Sequence, residues 1–293
     1  MYDIGRLYQA KSVEDAVALR LAHPDADIIA GGSDVLVQMR EGKRAGRDLI
    51  SLQTLDTLRG VTMESDGTIR IGSLTSFSHI TRDPIIQKYL RVLGEAVDQV
   101  GGPQIRNIGT IGGNTCNGVT SADSASTLFA YDAVIELTGP EGVRRLPIQE
   151  FYLGAGKVDI RTGEIQTGIL ISKDSYNQTN GHYIKYAMRN AMDIATLGTS
   201  VNVHLSEDKK AVHRLRIAFG VAGPVPLRAK TAESMAIGQP LSAELAERIG
   251  HTVQDDIRPR DSWRATKNFR LHIASECAKR AFEEAVRRCG GYI

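Results

Sequence analysis

Two short glycine pairs about 80 residues apart carry the most specific chemistry in the chain: Gly31-Gly32 within AGGSD and Gly112-Gly113 within TIGGN. A chain without side chains can bring its backbone N–H groups close to an oxyanion, which suits a phosphate. Beside the first pair, Ser33 adds a hydroxyl donor. Asp34 would repel a phosphate and suits a ribose hydroxyl, a backbone amide or a helix cap. Beside the second pair, Thr110 and Asn114 offer hydrogen bonds. One double glycine is an ordinary turn signal. Two of them flanking strands can hold a pyrophosphate from both sides with main-chain donors, without arginine or lysine. Neither pair has the GxGxxG or GxxxxGK[ST] spacing, so the Rossmann and P-loop arrangements are excluded and a different dinucleotide fold is required.

The remaining reactive residue types are scattered. Three cysteines, Cys116, Cys277 and Cys289, form no CxxC, and seven histidines include no HxH or HExxH. Neither a disulfide framework nor a metal or iron–sulfur site of this chain's own is indicated. Cys116 follows TIGGN, yet a nucleophile needs a paired base that the sequence does not place. Arg106 reads as a phosphate contact or a structural arginine, and Trp263 as core packing or a partner-facing anchor. No acid, base or nucleophile is assigned.

The elements that must position the loops are readable from periodicity. SVEDAVALRLAHP is helical, with Ser12 as cap, Asp15 closing a capping box and Pro24 ending it. ADIIA is a short apolar strand running into the first glycine pair, and Val35 to Met39 begins a second apolar segment. DLISLQTL and TIRIGSLTSFSHI read as strands, and DPIIQKYLRVLGEAVDQVG as helix. From Gly101 to Gly118 the chain is too rich in glycine for a packed helix and too long for a turn, so a loop is expected. A helix near Ser121 to Ser124 and strands through GEIQTGILI follow. The polar stretch SKDSYNQTNG is the candidate domain boundary. Three strand-like runs and two helical runs complete a small α+β unit.

At 293 residues and 42% hydrophobic, the chain has room for two modest domains with real cores. Its 36 basic and 34 acidic residues leave +2, with no basic face of the kind that binds nucleic acid. No run of about 20 apolar residues spans a membrane, and the start lacks the order of a secretory signal, so a cytoplasmic protein is expected. No fixed-period repeat or low-complexity tract is present, which removes solenoids and propellers.

AGGSDVLVQ, the long tract GGPQIRNIGTIGGNTCNGVTSADSASTLFAYDA, then HYIKYAMRNAMDIATLG and SWRATKNFRLH together resemble the FAD-binding subunits of the xanthine dehydrogenase family of molybdenum hydroxylases. More distantly they resemble the medium subunit of carbon monoxide dehydrogenase. The resemblance runs from end to end. It implies an α+β fold: a two-part FAD-binding domain of the vanillyl-alcohol-oxidase-like type over residues 1–176, divided near residue 55, and a C-terminal α+β domain over 177–293. It also implies that Asp27, Ile28, Ile29, Ala30, Gly31, Gly32, Ser33 and Asp34 wrap FAD from one side, and Thr110, Ile111, Gly112, Gly113 and Asn114 from the other. Asp123 matches a carboxylate near the adenosine part, a helix cap remaining the other reading. Gln166 matches a main-chain contact whose side chain matters little. Lys185 matches a lysine near the flavin, a solvated strand-edge residue being the other reading.

By the same resemblance, the chain moves electrons rather than transforming substrate. A molybdopterin-bearing large subunit and a small subunit with 2Fe-2S clusters are its implied partners, NAD+ its acceptor, and a dimer of heterotrimers its assembly. A purine is the expected substrate of the complex, with carbon monoxide, an aldehyde or an N-heterocycle as alternatives. Readings from other classes are a stand-alone flavin reductase and a non-enzymatic nucleotide-binding module. The cysteine-rich insertion of the hydroxybenzoyl-CoA reductase branch has no counterpart here.

Overall fold

The computed structural model describes residues 2–293. Its first unit alternates strand and helix: β1 (Leu7–Gln9), α1 (Val13–Ala22), β2 (Asp27–Ile29), α2 (Val35–Arg40) and β3 (Leu49–Ser51). The three strands are parallel in the order β1-β3-β2. The Ser12 hydroxyl accepts from the Asp15 N–H, as expected of a cap. The Asp15 carboxylate, however, accepts from the N–H of Lys11 rather than of Ser12, so the capping box closes one residue early. Ala10, Ala16, Val17, Leu52 and Leu55 form this unit's core together with Ile165 from a later strand, which fastens it to the next layer.

The second unit is built on an antiparallel sheet. Its elements in chain order are β4 (Val61–Met63), β5 (Ile69–Gly72), α3 (Phe77–Arg82), α4 (Pro84–Tyr89), α5 (Arg91–Val97), α6 (Pro103–Ile108), α7 (Ile111–Cys116) and α8 (Asp123–Ala130). Then come β6 (Val134–Gly139), β7 (Gly142–Pro147), α9 (Ile148–Phe151), a small hairpin of β8 (Tyr152–Gly154) and β9 (Lys157–Val158), β10 (Ile165–Ile171) and α10 (Lys173–Tyr176). The sheet order is β4-β5-β10-β6-β7, with β10 central and buried along its whole length. Ile69, Ile71 and Leu74 are all buried, as their spacing implies. Phe77 to Ile80, read as strand, is helical instead because Ser76 caps it through the His79 N–H.

The glycine-rich tract departs most from expectation: it is two short helices, not a loop. Pro103 starts α6 at a position where its missing N–H costs nothing, and Thr110 caps α7. Gly112 sits inside α7 for a packing reason. A Cβ there would lie 2.6 Å from Ser73 Cβ and from Ser73 O, so glycine lets the helix lie directly on the chain leaving β5.

The third unit is a meander of β11 (Asn180–Tyr186), β12 (Leu197–Leu205), β13 (Val212–Gly220) and β14 (Leu227–Arg228), followed by α11 (Lys230–Ala236), α12 (Ala243–Asp256) and α13 (Lys267–Arg288). Helix α11 was not foreseen. Along α13, Ala274, Ala278, Ala281, Phe282 and Ala285 repeat every three or four residues and meet Val201, Val203 and Leu205 of β12. The other sheet face receives α5 and α8, with Asn202 Nδ2 donating to Ala130 O at 3.2 Å. Tyr183 and Ala218 therefore belong to the second unit's core. The polar stretch after β10 is tied down: Tyr176 donates to Gly67 O, and Arg216 to Ser175 O at 3.2 Å. Among the described residues no helix is long and apolar enough to cross a membrane.

Candidate functional site

The two glycine pairs line one cleft. Strand β2 ends at Ile29 and turns into α2 through Gly31 and Gly32, the latter at φ +73°, a region that favours glycine. At Gly31 the reason is contact rather than conformation: a Cβ would fall 1.9 Å from Ile108 O and 3.2 Å from Gly109 Cα. The first loop thus lies against the chain that leads into the second.

The two loops are chemically unequal. Among the described residues, the N–H groups of Gly31, Gly32, Ser33 and Asp34 donate to no protein acceptor. In the second loop, Ile111 N–H donates to Thr75 O, Gly112 N–H to Ser73 O, Gly113 N–H to Thr110 Oγ1 and Asn114 N–H to Thr110 O. The expectation that both loops present amide donors is therefore corrected. The first loop keeps its donors free, whereas the second spends two on Thr75 and Ser73 and two on starting a helix at Thr110.

Both loops line one cleft of about 950 Å³, the size of a site for a sizeable organic ligand. Ile28, Ala30, Gly31, Gly32, Ser33 and Asp34 form one part of its wall, and Thr110, Gly112, Gly113, Asn114 and Gln166 another. Leu74, Phe77, Ile105, Val119, Leu153 and Val158 add apolar surface. Two wall residues, Ser73 and Gln166, carry buried polar atoms, Ser73 Oγ and Gln166 Nε2, without a protein partner. Buried donors are rarely left unmade. Four free amides at one end and apolar walls fit a ligand with an anionic centre and flat organic ends, as FAD is.

Five expected residues lie off this wall. Asp27 is paired with Arg44 at 2.5 Å and Arg47 at 3.1 Å, so its carboxylate fastens the loop's base. Ile29 is core beside Met39 and Leu49, and Ile111 is fully buried. Asp123 and Lys185 are brought together with each other: Lys185 Nζ lies 2.8 Å from Asp123 Oδ2 and 2.9 Å from Gln99 O, and Tyr183 donates to Asp123 Oδ1 at 2.7 Å. Both side chains are 7% exposed. Lys185 is not a solvated edge residue, and Asp123 is not a cap, since Ala122 occupies the cap position without a side-chain bond. Burial raises the Asp123 pKa, and the Lys185 charge and the hydrogen bonds from Lys185 and Tyr183 oppose it. This buried pair joins α8 to β11, one residue from Ser124, whose hydroxyl donates to Asn114 Oδ1 at 2.6 Å.

Sequence reasoning missed most of the apolar wall and three cations, Arg20, Arg44 and Lys157. Only Lys157 had a signal, the glycines of LGAGK that turn β8 into β9. Arg106 is structural, paired with Asp98 at 3.2 Å and donating to Val100 O and Gly101 O. Trp263 is 77% exposed under Arg264, which removes the core-packing reading. Cys116 lies half-buried on the cleft wall, where burial pushes its thiol up to about 12 and its hydrogen-bond partner is the Gln166 amide rather than a base.

Comparison with known proteins agrees with this geometry. Residues 2–173 match the family described as FAD binding domain in molybdopterin dehydrogenase. Residues 182–285 match the CO dehydrogenase flavoprotein C-terminal domain. The chain is 41% identical over 293 residues to the xanthine dehydrogenase FAD-binding subunit of Escherichia coli O157:H7, covering 100% of both. It is 31% identical over 264 residues to the nicotinate dehydrogenase FAD-subunit of Eubacterium barkeri, covering 87% of this chain and 88% of that one. Among solved structures, carbon monoxide dehydrogenase from Hydrogenophaga pseudoflava superposes with a TM-score of 0.93 at 29% identity, covering 99% of each chain. The chain belongs to the family of FAD-binding domains of molybdopterin dehydrogenases. Within it, the chain is an oxidoreductase FAD subunit of the xanthine dehydrogenase and carbon monoxide dehydrogenase type.

Proposed function

We propose that the chain holds FAD in the cleft between its glycine loops and relays electrons from the iron–sulfur centres of a partner subunit to NAD+, within a complex that hydroxylates a purine. The observation that carries this reading is the row of four free amides from Gly31 to Asp34 on the wall of a cleft of about 950 Å³. These donors suit the pyrophosphate, and Phe77, Leu153 and Val158 suit the flat ring systems. Bound there, FAD accepts electrons singly or in pairs and can pass a hydride equivalent. This chain's residues bind and orient it, and the Asp123–Lys185 pair links α8 of an FAD-binding domain over residues 1–176 to β11 of a C-terminal domain over 177–293.

The purine assignment rests on the xanthine dehydrogenase FAD-binding subunit, matched along both full lengths. Its corollaries are a large subunit with molybdopterin, a small subunit with 2Fe-2S clusters, a dimer of heterotrimers and a cytoplasmic location. The purified chain should show a flavin absorption spectrum and release stoichiometric FAD on denaturation. A colourless chain that takes up no added FAD would overturn the reading. Xanthine-dependent NAD+ reduction should require co-expression with both partner subunits, and purine oxidation by the isolated chain would contradict the division of labour.

A further inference from the structure

The turn between α12 and α13 places the chain's single tryptophan on the surface. Ser262 and Ala265 close it with two backbone bonds, Ser262 N–H to Ala265 O at 3.0 Å and Ala265 N–H to Ser262 O at 3.2 Å, so Trp263 and Arg264 stand at its tip. Arg270, buried on α13, pins the turn from beneath. Its guanidinium donates to Ser262 Oγ at 2.8 Å, to the carbonyls of Arg260 and Ala265, and to Thr196 O at 3.2 Å. Trp263 is 77% exposed, and the Arg264 guanidinium lies 4.2 Å from its ring centroid. A tryptophan is ordinarily well buried, and a Trp–Arg pair held rigidly in the open has the composition of a protein-binding hot spot.

The surroundings fix the sign of what fits. From Arg258 to Arg270 five basic residues stand against one acidic residue, Asp261, whose Oδ1 accepts from the Lys267 N–H at 2.6 Å. Among the described residues Arg260, Arg264 and Lys267 form no ion pair. Burial, and then the charges of Arg260 and Arg264, hold the Arg270 pKa below the usual arginine value, so positive charge is crowded here rather than cancelled. Exposed rings continue the surface: Phe269 of α13 meets Tyr186 at the end of β11, with ring centroids 5.8 Å apart. Tyr186 O accepts from the Thr196 N–H, and in the segment between them Met192 reaches Gly102, where a Cβ would lie 3.6 Å from its Sδ. Val100 and Ile105, on either side of Gly102 in the chain, belong to the cleft wall. The basic, aromatic surface thus connects, contact by contact, to the rim of the cleft.

We infer that this surface, with Trp263 and Arg264 at its centre, is where the electron-delivering partner docks, and that the partner presents an acidic face around its iron–sulfur cluster. This rests on the reading that FAD in the cleft is reduced by a cluster-bearing subunit. A 2Fe-2S cluster held by cysteine thiolates carries net negative charge, so a positive surface beside the flavin steers that end of the partner inward. A nucleic acid needs a longer basic face than one turn supplies. Trp263 supplies affinity, and Arg260, Arg264 and Lys267 supply approach and orientation.

The test uses the full chain labelled with 5-fluorotryptophan, which gives one fluorine resonance because Trp263 is the only tryptophan, and the purified iron–sulfur subunit as probe. Adding that subunit should move the resonance. By calorimetry, W263A should weaken its binding by about thirtyfold, the scale of a central interface tryptophan, and R264Q should flatten the dependence of binding on salt. The thermal melt and FAD content of the isolated W263A chain should match wild type, since an exposed ring supports no core. A loss of less than tenfold overturns the inference. So does an affinity loss accompanied by a lower melting temperature, which marks a structural role. A resonance that moves only with the molybdopterin-bearing subunit, or with the concentration of the chain alone, overturns it too, by assigning the surface to another partner or to self-association. If wild-type chain binds no iron–sulfur subunit, the electron-transfer reading itself fails, whereas wild-type binding with an unmoved resonance sinks this inference alone.

Discussion

Replacing Gly31 with alanine tests the site at the point where its two loops touch. The added Cβ would lie 1.9 Å from Ile108 O and 2.7 Å from Ile108 C, and both are main-chain atoms that no rotamer change can move away. Ordinary packing requires one loop to retreat from the other by roughly 1 Å or more. Overpacking of this kind costs about 1–3 kcal/mol, which for a chain of this size lowers the melting temperature by several degrees, on the order of 2–4 °C per kcal/mol. The larger effect falls on the ligand. The four free N–H groups from Gly31 to Asp34 ride on the displaced segment, and losing even two of their hydrogen bonds, at about 1 kcal/mol each, weakens binding by roughly tenfold or more. Fluorescence titration with FAD and a thermal melt of the stripped chain read both effects. G154A is the control, because a Cβ there meets nothing within 4 Å. If G31A binds FAD within threefold of wild type, the close approach of the loops is not what aligns the donors.

Three further outcomes follow from buried charges and thiols. K185M leaves the Asp123 carboxylate buried without its cation and should destabilise the chain by about 3–5 kcal/mol, whereas D123N, which keeps the shape and polarity, should cost less; equal denaturation midpoints would dissolve the pair's importance. Burial raises the Glu164 pKa, but Arg144 and the Arg161 N–H outweigh it and hold the carboxyl below 4.5. Its contribution is therefore complete above that pH and is lost as the pH falls through the folded value. E164Q should melt lower than wild type at neutral pH yet show a flatter decline between about pH 5 and pH 3; parallel curves would refute the assignment. Burial pushes the thiol of Cys116 up to about 12 and that of Cys277 up to about 11, and raises Cys289 as well. Native protein at pH 8 should resist iodoacetamide until denatured, and rapid modification of any of the three would contradict that protection.

Most elements were readable because their causes are local. Ser12 caps its helix through the third N–H beyond it, and the small residues of α13 recur with helical spacing. The glycine-rich tract was misread because glycine there answers a neighbour distant in sequence: Gly112 lies on Ser73, and the local rule that glycine weakens helices gives way to that contact. The site divided in the same way. Residues on the loops, from Ala30 to Asp34 and from Thr110 to Asn114, announce themselves by composition, and all but Ile111 reach the cleft wall. Phe77, Val119, Leu153 and Val158 look like ordinary core residues in the sequence, because an apolar side chain facing a ligand has the same chemistry as one facing another side chain.

By itself the sequence determined the two glycine turns, the Ser12 cap, most strand and helix periodicities and membership in a flavin-binding family, since each depends on residue type and spacing along the chain. Tertiary structure alone decided which amides stay free, which charges pair and which polar atoms lack partners. Ile111 to Asn114 spend their N–H groups on Thr75, Ser73 and Thr110, while Gly31 to Asp34 keep theirs. Lys185 finds Asp123 from 62 residues away. Hydrogen bonds and ion pairs are short-ranged and directional, so their bookkeeping is settled only when segments distant in sequence are fixed in space.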